Sequence, residues 1–382
     1  MRRSSYKYAV VAGVAFAISG CKSDSARPTS DSAPAGSASA AVASADPVEV
    51  YAAALERVAE CPLSADGVAV KDVSACLKPS WDALRAIDSP PEAAAQTPAA
   101  RMALVKELHG KLSRRLESNL ASKNRTVVLY SLYQNQSRFE RTPTVLAKFE
   151  ELMKNDDAPT AEWAAIGRFW RVDKMDSKGL DLAKATLKGD KHDRVRKAGC
   201  DYIGDRSFRG DRAHFDLLLS YAKNNAEPDI VRSCATLHLG DLGDESDVGT
   251  IAGLLADKKT QYSAVYALKL GVRTKRSFDA YVDYFAKNAT KDDALEFAAL
   301  TIFAPWDADL EKFPKAKALK ALSTILTTPT VHSFTRGNAA YALGRLKAKH
   351  ELEQALKKYD KATAPEEKHV KEQIERAMRE FK

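Results

Sequence analysis

Several things are missing from this 382-residue chain, and each absence removes a class of function. There is no C-x-x-C among its five cysteines, which disfavours both redox catalysis of the thioredoxin type and a zinc ribbon. The seven histidines (His109, His192, His214, His238, His332, His350, His369) are scattered, and HELEQ at His350 is not the H-E-x-x-H of a zinc helix. G-x-S-x-G, the phosphate loop G-x-x-x-x-G-K-[ST] and G-x-G-x-x-G are all absent. The apolar run Ala9 to Ile18 is about half of the roughly 20 residues an α-helix needs to cross hydrocarbon, so it argues against a permanent transmembrane helix. With no nucleophile elbow, phosphate cradle or metal helix to point at, the sequence gives an enzyme no positive support, and no cofactor or metal is expected.

What is present begins at the N-terminus. Arg2, Arg3 and Lys7 precede the short apolar run, a secretory signal layout. Ile18-Ser19-Gly20-Cys21 then resembles the lipobox of bacterial lipoproteins. The resemblance implies that Cys21 is diacylated, becomes the first residue after cleavage and holds the protein to a membrane by lipid, two chains being enough for stable anchoring. An ordinary signal peptide cut elsewhere, with Cys21 free or in a disulfide, is the alternative. By the family's sorting rule, Lys22 in place of an aspartate implies the outer membrane, facing the periplasm, with exposure at the cell surface still open.

Residues 22 to 46 are mostly Ala, Ser, Asp, Pro and Gly with almost no large apolar side chain. Such a segment cannot bury enough surface to offset its ordering entropy and is expected to be a flexible tether. Without the signal's three basic residues, 59 Lys and Arg fall to 56 against 51 Asp and Glu, a mild excess of +5 spread over many helices. Nucleic-acid binding would need basic residues clustered on one face, so none is expected.

Beyond Pro47 the apolar spacing is helical. Phe215, Leu218, Leu219 and Ala222 stand at i, i+3, i+4 and i+7, and the same pattern recurs from Val248, Phe278, Ala318 and Leu352. Each is one apolar stripe on a short amphipathic helix, and spacings of 30 to 40 residues point to stacked helical hairpins. Between them lies a second helix type, in VRKAGCDYIGD (Val195 to Asp205) and VRSCATLHLGD (Val231 to Asp241), with looser copies at Tyr262 and Thr335. Its small residues allow close approach, and Gly204, Gly240, Gly271 and Gly344 fit a left-handed helix-ending position.

This second helix resembles that of HEAT-type repeats, which carries Asp-x-Val-Arg followed by small residues and Leu-Gly. The resemblance implies an all-α, right-handed α-solenoid, with Asp193, Arg196, Asp229 and Arg232 forming a structural ladder between repeats. The domain layout is then a signal peptide (1–20), a disordered tether (21–46), an N-terminal helical region (47–125), a HEAT-like solenoid (126–361) and a C-terminal capping helix (362–382). Trp163, Ile166, Gly167 and Trp170 also match the start of a tetratricopeptide unit, but Gly179 and Thr186 stand where alanines belong, so these aromatics are expected in core packing.

Cys61 and Cys76 flank a short loop and are expected to be bridged, a 15-residue interval contributing about 3 kcal/mol in the loop-entropy view. Cys200 and Cys234 sit two positions out of register in adjacent repeats, and buried thiols are the expectation there. The insertion FAPWDADLEKFPK (Phe303 to Lys315) puts Phe303, Trp306 and Phe313 beside two prolines, a candidate partner-binding loop whose alternative is packing back onto the helices. The resulting expectation is a lipid-anchored envelope protein that binds an unidentified protein partner as a scaffold. An enzyme or enzyme subunit with a site invisible in the sequence, and a structural spacer between envelope layers, are the alternatives.

Overall fold

A computed structural model describes residues 46–58, 73–90, 97–136, 138–170, 177–288, 311–379 and 381. Cys21, the tether, Cys61, Phe303 and Trp306 lie outside the described residues, and with them the expected lipid attachment, the Cys61–Cys76 pairing and most of the candidate loop.

Local chemistry starts the helices where the sequence offers an oxygen followed by a proline. Thr97, Thr142 and Asp157 each accept a backbone N–H at the start of the helices α3 (Pro98–Leu120), α5 (Pro143–Leu152) and α6 (Ala158–Phe169), with proline in the first turn of each. Asn124 and Asp211 do the same for α4 (Arg125–Asn135) and α9 (Arg212–Lys223). Ahead of these lie α1 (Pro47–Val58) and α2 (Val73–Asp88). Among the described residues every regular element is helical, so the chain is all-α.

From α7 (Ser177–Gly189) onward the helices alternate between two roles. α7 packs on α8 (Asp193–Ile203), and α9 on α10 (Asp229–Leu242), as antiparallel hairpins. The second helices also stack on one another: α4 on α6, α6 on α8, α8 on α10, and α10 on α12 (Gln261–Tyr266), which continues as π-helical turns over Ala267–Val272. The first helices do likewise further on: α11 (Val248–Gly253) meets α13 (Lys275–Asn288), α13 meets α14 (Lys315–Thr327), and α14 meets α16 (Lys349–Lys358). α15 (Ser333–Arg345) pairs with α14 and is covered by α17 (Pro365–Arg379). The stripes named from the sequence are the ones buried: Phe278, Tyr281, Val282 and Phe285 are all fully enclosed, and buried apolar residues from Val48 to Ala377 join in one core. α1 belongs to it, its buried Tyr51 hydroxyl accepting a 2.6 Å hydrogen bond from Asn135 of α4.

Two expectations are corrected. The glycines expected to end helices are not left-handed: Gly204 has φ −80, and among the described glycines the positive φ belongs to Gly210. The left-handed turns after the π-helical segment and after α15 fall instead on Arg273 (φ 57) and Lys347 (φ 55). The glycines are required by their neighbours. A Cβ on Gly240 would stand 2.5 Å from the Ala267 Cα and closer still to its carbonyl oxygen, and one on Gly271 would stand 2.5 Å from the Gly240 Cα. Backbone meets backbone there, so only glycine fits.

The other correction concerns Cys200 and Cys234, which form a disulfide between α8 and α10 with Cα atoms 6.4 Å apart. The separation of packed helix axes, about 8 to 10 Å, overstates the gap, because each Cα lies about 2.3 Å off its axis toward the partner.

Candidate functional site

Three features of the described residues carry polar chemistry: a cleft near the N-terminus, a charged cluster on α8 and α10, and a ladder of arginines.

The cleft, of about 670 Å³, lies where α2, the end of α4 and α6 converge. Trp81, Leu84, Arg85 and Asp88 of α2 form one wall, Tyr133, Gln134, Gln136 and Arg138 a second, and Trp163 of α6 the third. Tyr133 meets the Trp163 ring edge-on at 4.9 Å, while Trp81 keeps 37 % of its surface exposed. Arg138 is fixed by a 2.5 Å hydrogen bond to Asp88, and Gln134 donates to Ser80 Oγ at 3.0 Å. Trp163 Nε1 and Gln134 Oε1 are buried without hydrogen-bond partners, a donor and an acceptor left to be satisfied.

The cluster centres on His238. Its Nε2 lies 3.0 Å from Asp201 Oδ1 and its Nδ1 3.2 Å from Asp241 Oδ2. Lys197 holds the other Asp201 oxygen at 2.6 Å, and Arg206 donates to Asp241 and, at 3.2 Å, to the Leu270 carbonyl of the π-helical turns. Burial would lower the imidazolium's pKa, but the hydrogen bonds and charges of Asp201 and Asp241 outweigh it and hold it up at about 9. Crowding by protein atoms would raise Asp201, yet Lys197 and His238 hold its carboxyl at about 2. Cys234 Sγ lies 3.2 Å from Asp201 Oδ1, so Asp201, Cys234 and His238 present ligand atoms within 4.8 Å of one another.

In the ladder, Arg196 donates to the Leu187 carbonyl at the end of α7 (2.8 Å) and to Glu227 in the turn before α10. Arg232 repeats this, donating to the Ala222 carbonyl (3.2 Å) and to Asp257 before α12. The acidic partners are therefore Glu227 and Asp257, not the two aspartates named from the sequence. Asp193 is exposed in the first turn of α8, and Asp229 meets Lys259 at 2.8 Å, with both side chains more than half exposed.

Phe313 is 5 % exposed and packs edge-on to Phe278 at 5.9 Å and against Tyr281, so it belongs to the core and offers no surface to a partner. Trp163 packs against the core as expected while one side of it lines the cleft, whereas Trp170, for which core packing was also expected, is 41 % exposed. Trp81, Tyr133 and Arg138 had no signal of their own in the sequence. Cys234 and His238 did, since they stand four apart on one helix face, a ligand spacing that a search for paired histidines passes over.

No protein-family model matches this chain, and no curated protein matches it. Among solved structures, human deoxyhypusine hydroxylase in complex with glycerol matches over 73 % of this chain and 99 % of that chain, at 15 % identity and a TM-score of 0.29. A likeness that slight supports no argument about activity.

Proposed function

We propose that this protein is a lipid-anchored component of a bacterial cell envelope whose HEAT-like helical hairpins, stacked as a right-handed α-solenoid, serve as a scaffold for another protein. The observation that carries the binding role is the cleft between α2, α4 and α6. Tryptophan, tyrosine and arginine are the residue types that dominate the energetics of protein interfaces, and here Trp81, Tyr133, Trp163, Arg85 and Arg138 meet in one recess. Stacked hairpins provide the extended surface on which such a recess is one contact among several. The lipobox resemblance at Ile18 to Cys21 supports anchoring, and the small-residue stretch after it supplies reach.

Pull-down from detergent-solubilised envelopes tests the reading. The wild-type chain is expected to retain a protein in fixed stoichiometry, and the Trp81→Ala, Trp163→Ala double variant to lose it by tenfold or more, about 1.4 kcal/mol or above. Equal capture by both chains, or a small molecule retained in place of a protein, refutes the scaffold reading.

A further inference from the structure

We propose that reduction of the Cys200–Cys234 disulfide opens a site for a divalent transition metal of the zinc type, with Cys234 Sγ, His238 Nε2 and Asp201 as its protein ligands.

The donors are preassembled on two packed helices. Cys234 and His238 stand four apart on one face of α10, and Asp201 reaches across from α8, to 3.0 Å from His238 Nε2 and 3.2 Å from Cys234 Sγ. All three ligand atoms already lie within 4.8 Å of one another. Bonds of about 2.0 to 2.3 Å in tetrahedral array place such atoms about 3.3 to 3.8 Å apart, so the change required is small. Three protein ligands and one open position make an exchangeable site rather than a closed structural one.

The surroundings match what a metal-binding histidine needs. Its other nitrogen, Nδ1, lies 3.2 Å from Asp241, which is itself held by Arg206. A carboxylate on the far nitrogen fixes the tautomer and ring orientation of a ligating imidazole. The ring is seated against α8 because residue 204 is glycine, where a Cβ would fall 2.8 Å from His238 Cδ2 and nearer still to Cβ and Cγ.

The disulfide is the lock, because a metal takes cysteine as thiolate and a sulfur bonded to Cys200 cannot be one. A dithiol reductant breaks the S–S bond, is itself oxidised to a disulfide, and leaves two protein thiols. Metal entry then releases two protons to solvent, one from the Cys234 thiol and one from the His238 imidazolium, while the buried Cys200 keeps its own. The charge in the cluster is unchanged: a neutral thiol and an imidazolium give way to a thiolate, a neutral imidazole and a doubly charged ion. Lys197 and Arg206 therefore meet the same net charge before and after.

Cobalt(II) titration of the full-length protein tests this, read by thiolate-to-cobalt charge transfer in the near ultraviolet and by displacement with zinc. The oxidised protein is expected to show no thiolate band. After dithiol treatment and anaerobic removal of the reductant, one cobalt per chain is expected to bind through sulfur. Cys200→Ser, which leaves Cys234 without a disulfide partner, is expected to bind without any reductant, and Cys200→Ser with Cys234→Ser to lose the band. Asp241→Asn is expected to weaken binding about 10- to 100-fold at unchanged stoichiometry. A thiolate band of equal strength in the oxidised protein, none in Cys200→Ser, or one that survives Cys234→Ser overturns the proposal. With Cys61 and Cys76 both replaced by serine, the comparison of oxidised with reduced protein needs no change at Cys200 or Cys234, and so stands even where a variant at the site fails to fold.

Discussion

Replacing Gly240 by alanine puts one methyl group between two backbones. The new Cβ falls 2.5 Å from the Ala267 Cα and 2.7 Å from its carbonyl carbon, with the oxygen closer still. None of these atoms can swing aside, as the end of a side chain would, so α10 and the π-helical segment must part by about 1 Å to restore van der Waals contact. Overpacking of this kind costs about 1 to 3 kcal/mol, and the separation also loosens Leu239, Leu268 and Gly271 along the same seam. Against it stands the helix preference of alanine over glycine, about 1 kcal/mol. The net expectation is a loss of about 1 kcal/mol, and up to about 2. Gly249, in α11, has nothing within 4 Å of the same hypothetical atom, so Gly249→Ala keeps the propensity gain without the clash and should stabilise by about 0.5 to 1 kcal/mol. Urea unfolding of both variants, followed by far-ultraviolet circular dichroism, reads the difference as opposite displacements of the midpoint. If Gly240→Ala unfolds at or above the wild-type midpoint, the close-approach argument is wrong.

Further outcomes follow from the same geometry. Asp257→Ala leaves the guanidinium of Arg232, whose side chain is 4 % exposed, without its counter-charge, and is expected to cost about 2 kcal/mol. Asp229→Ala breaks only the open pair with Lys259 and should cost under about 1 kcal/mol, so similar losses in urea unfolding would contradict the ladder. In the oxidised protein, the His238 ion pairs contribute fully below pH 6.5 and fade as pH rises through about 9. Asp201 contributes above pH 3.8 and fades as pH falls toward 2. The imidazolium's rise from 6.5 to about 9 amounts to about 3 kcal/mol before screening and about 1 to 2 once the open side of Asp201 is counted. His238→Gln should therefore flatten the decline in thermal midpoint between pH 7 and 10, and an unchanged slope would count against the assignment. Cys21→Ser is expected to abolish labelling by a fatty-acid analogue and to release the protein from the membrane fraction, and retention of either would remove the lipid anchor.

The helices were legible because each buries one stripe, and a stripe is a property of spacing alone. Phe278, Tyr281, Val282 and Phe285 show it without any knowledge of neighbours. The arginines were legible for a related reason: Arg196 and Arg232 recur in one frame, although their acidic partners lie in the following turn, where no frame marks them. What escaped depends on which helices touch. Gly240 looks like a helix end until the π-helical segment is laid against it, and Cys200 looks out of reach of Cys234 until the radius of the helix is taken into account. The cleft gathers residues from α2, α4 and α6, so Trp81 and Trp163, 82 positions apart in the chain, line one recess that no local pattern announces.

The arginine clasps also have a direction in time. Arg196 reaches forward 31 residues to Glu227, and Arg232 forward 25 to Asp257. A chain made from its N-terminus therefore exposes each guanidinium before the acid that closes on it exists. The hairpin of α7 and α8 stays unlatched until the turn ahead of α10 is in place, and the hairpin of α9 and α10 waits in turn for the segment before α12. A chain cut just after any one hairpin would therefore lack the acid that clasps it.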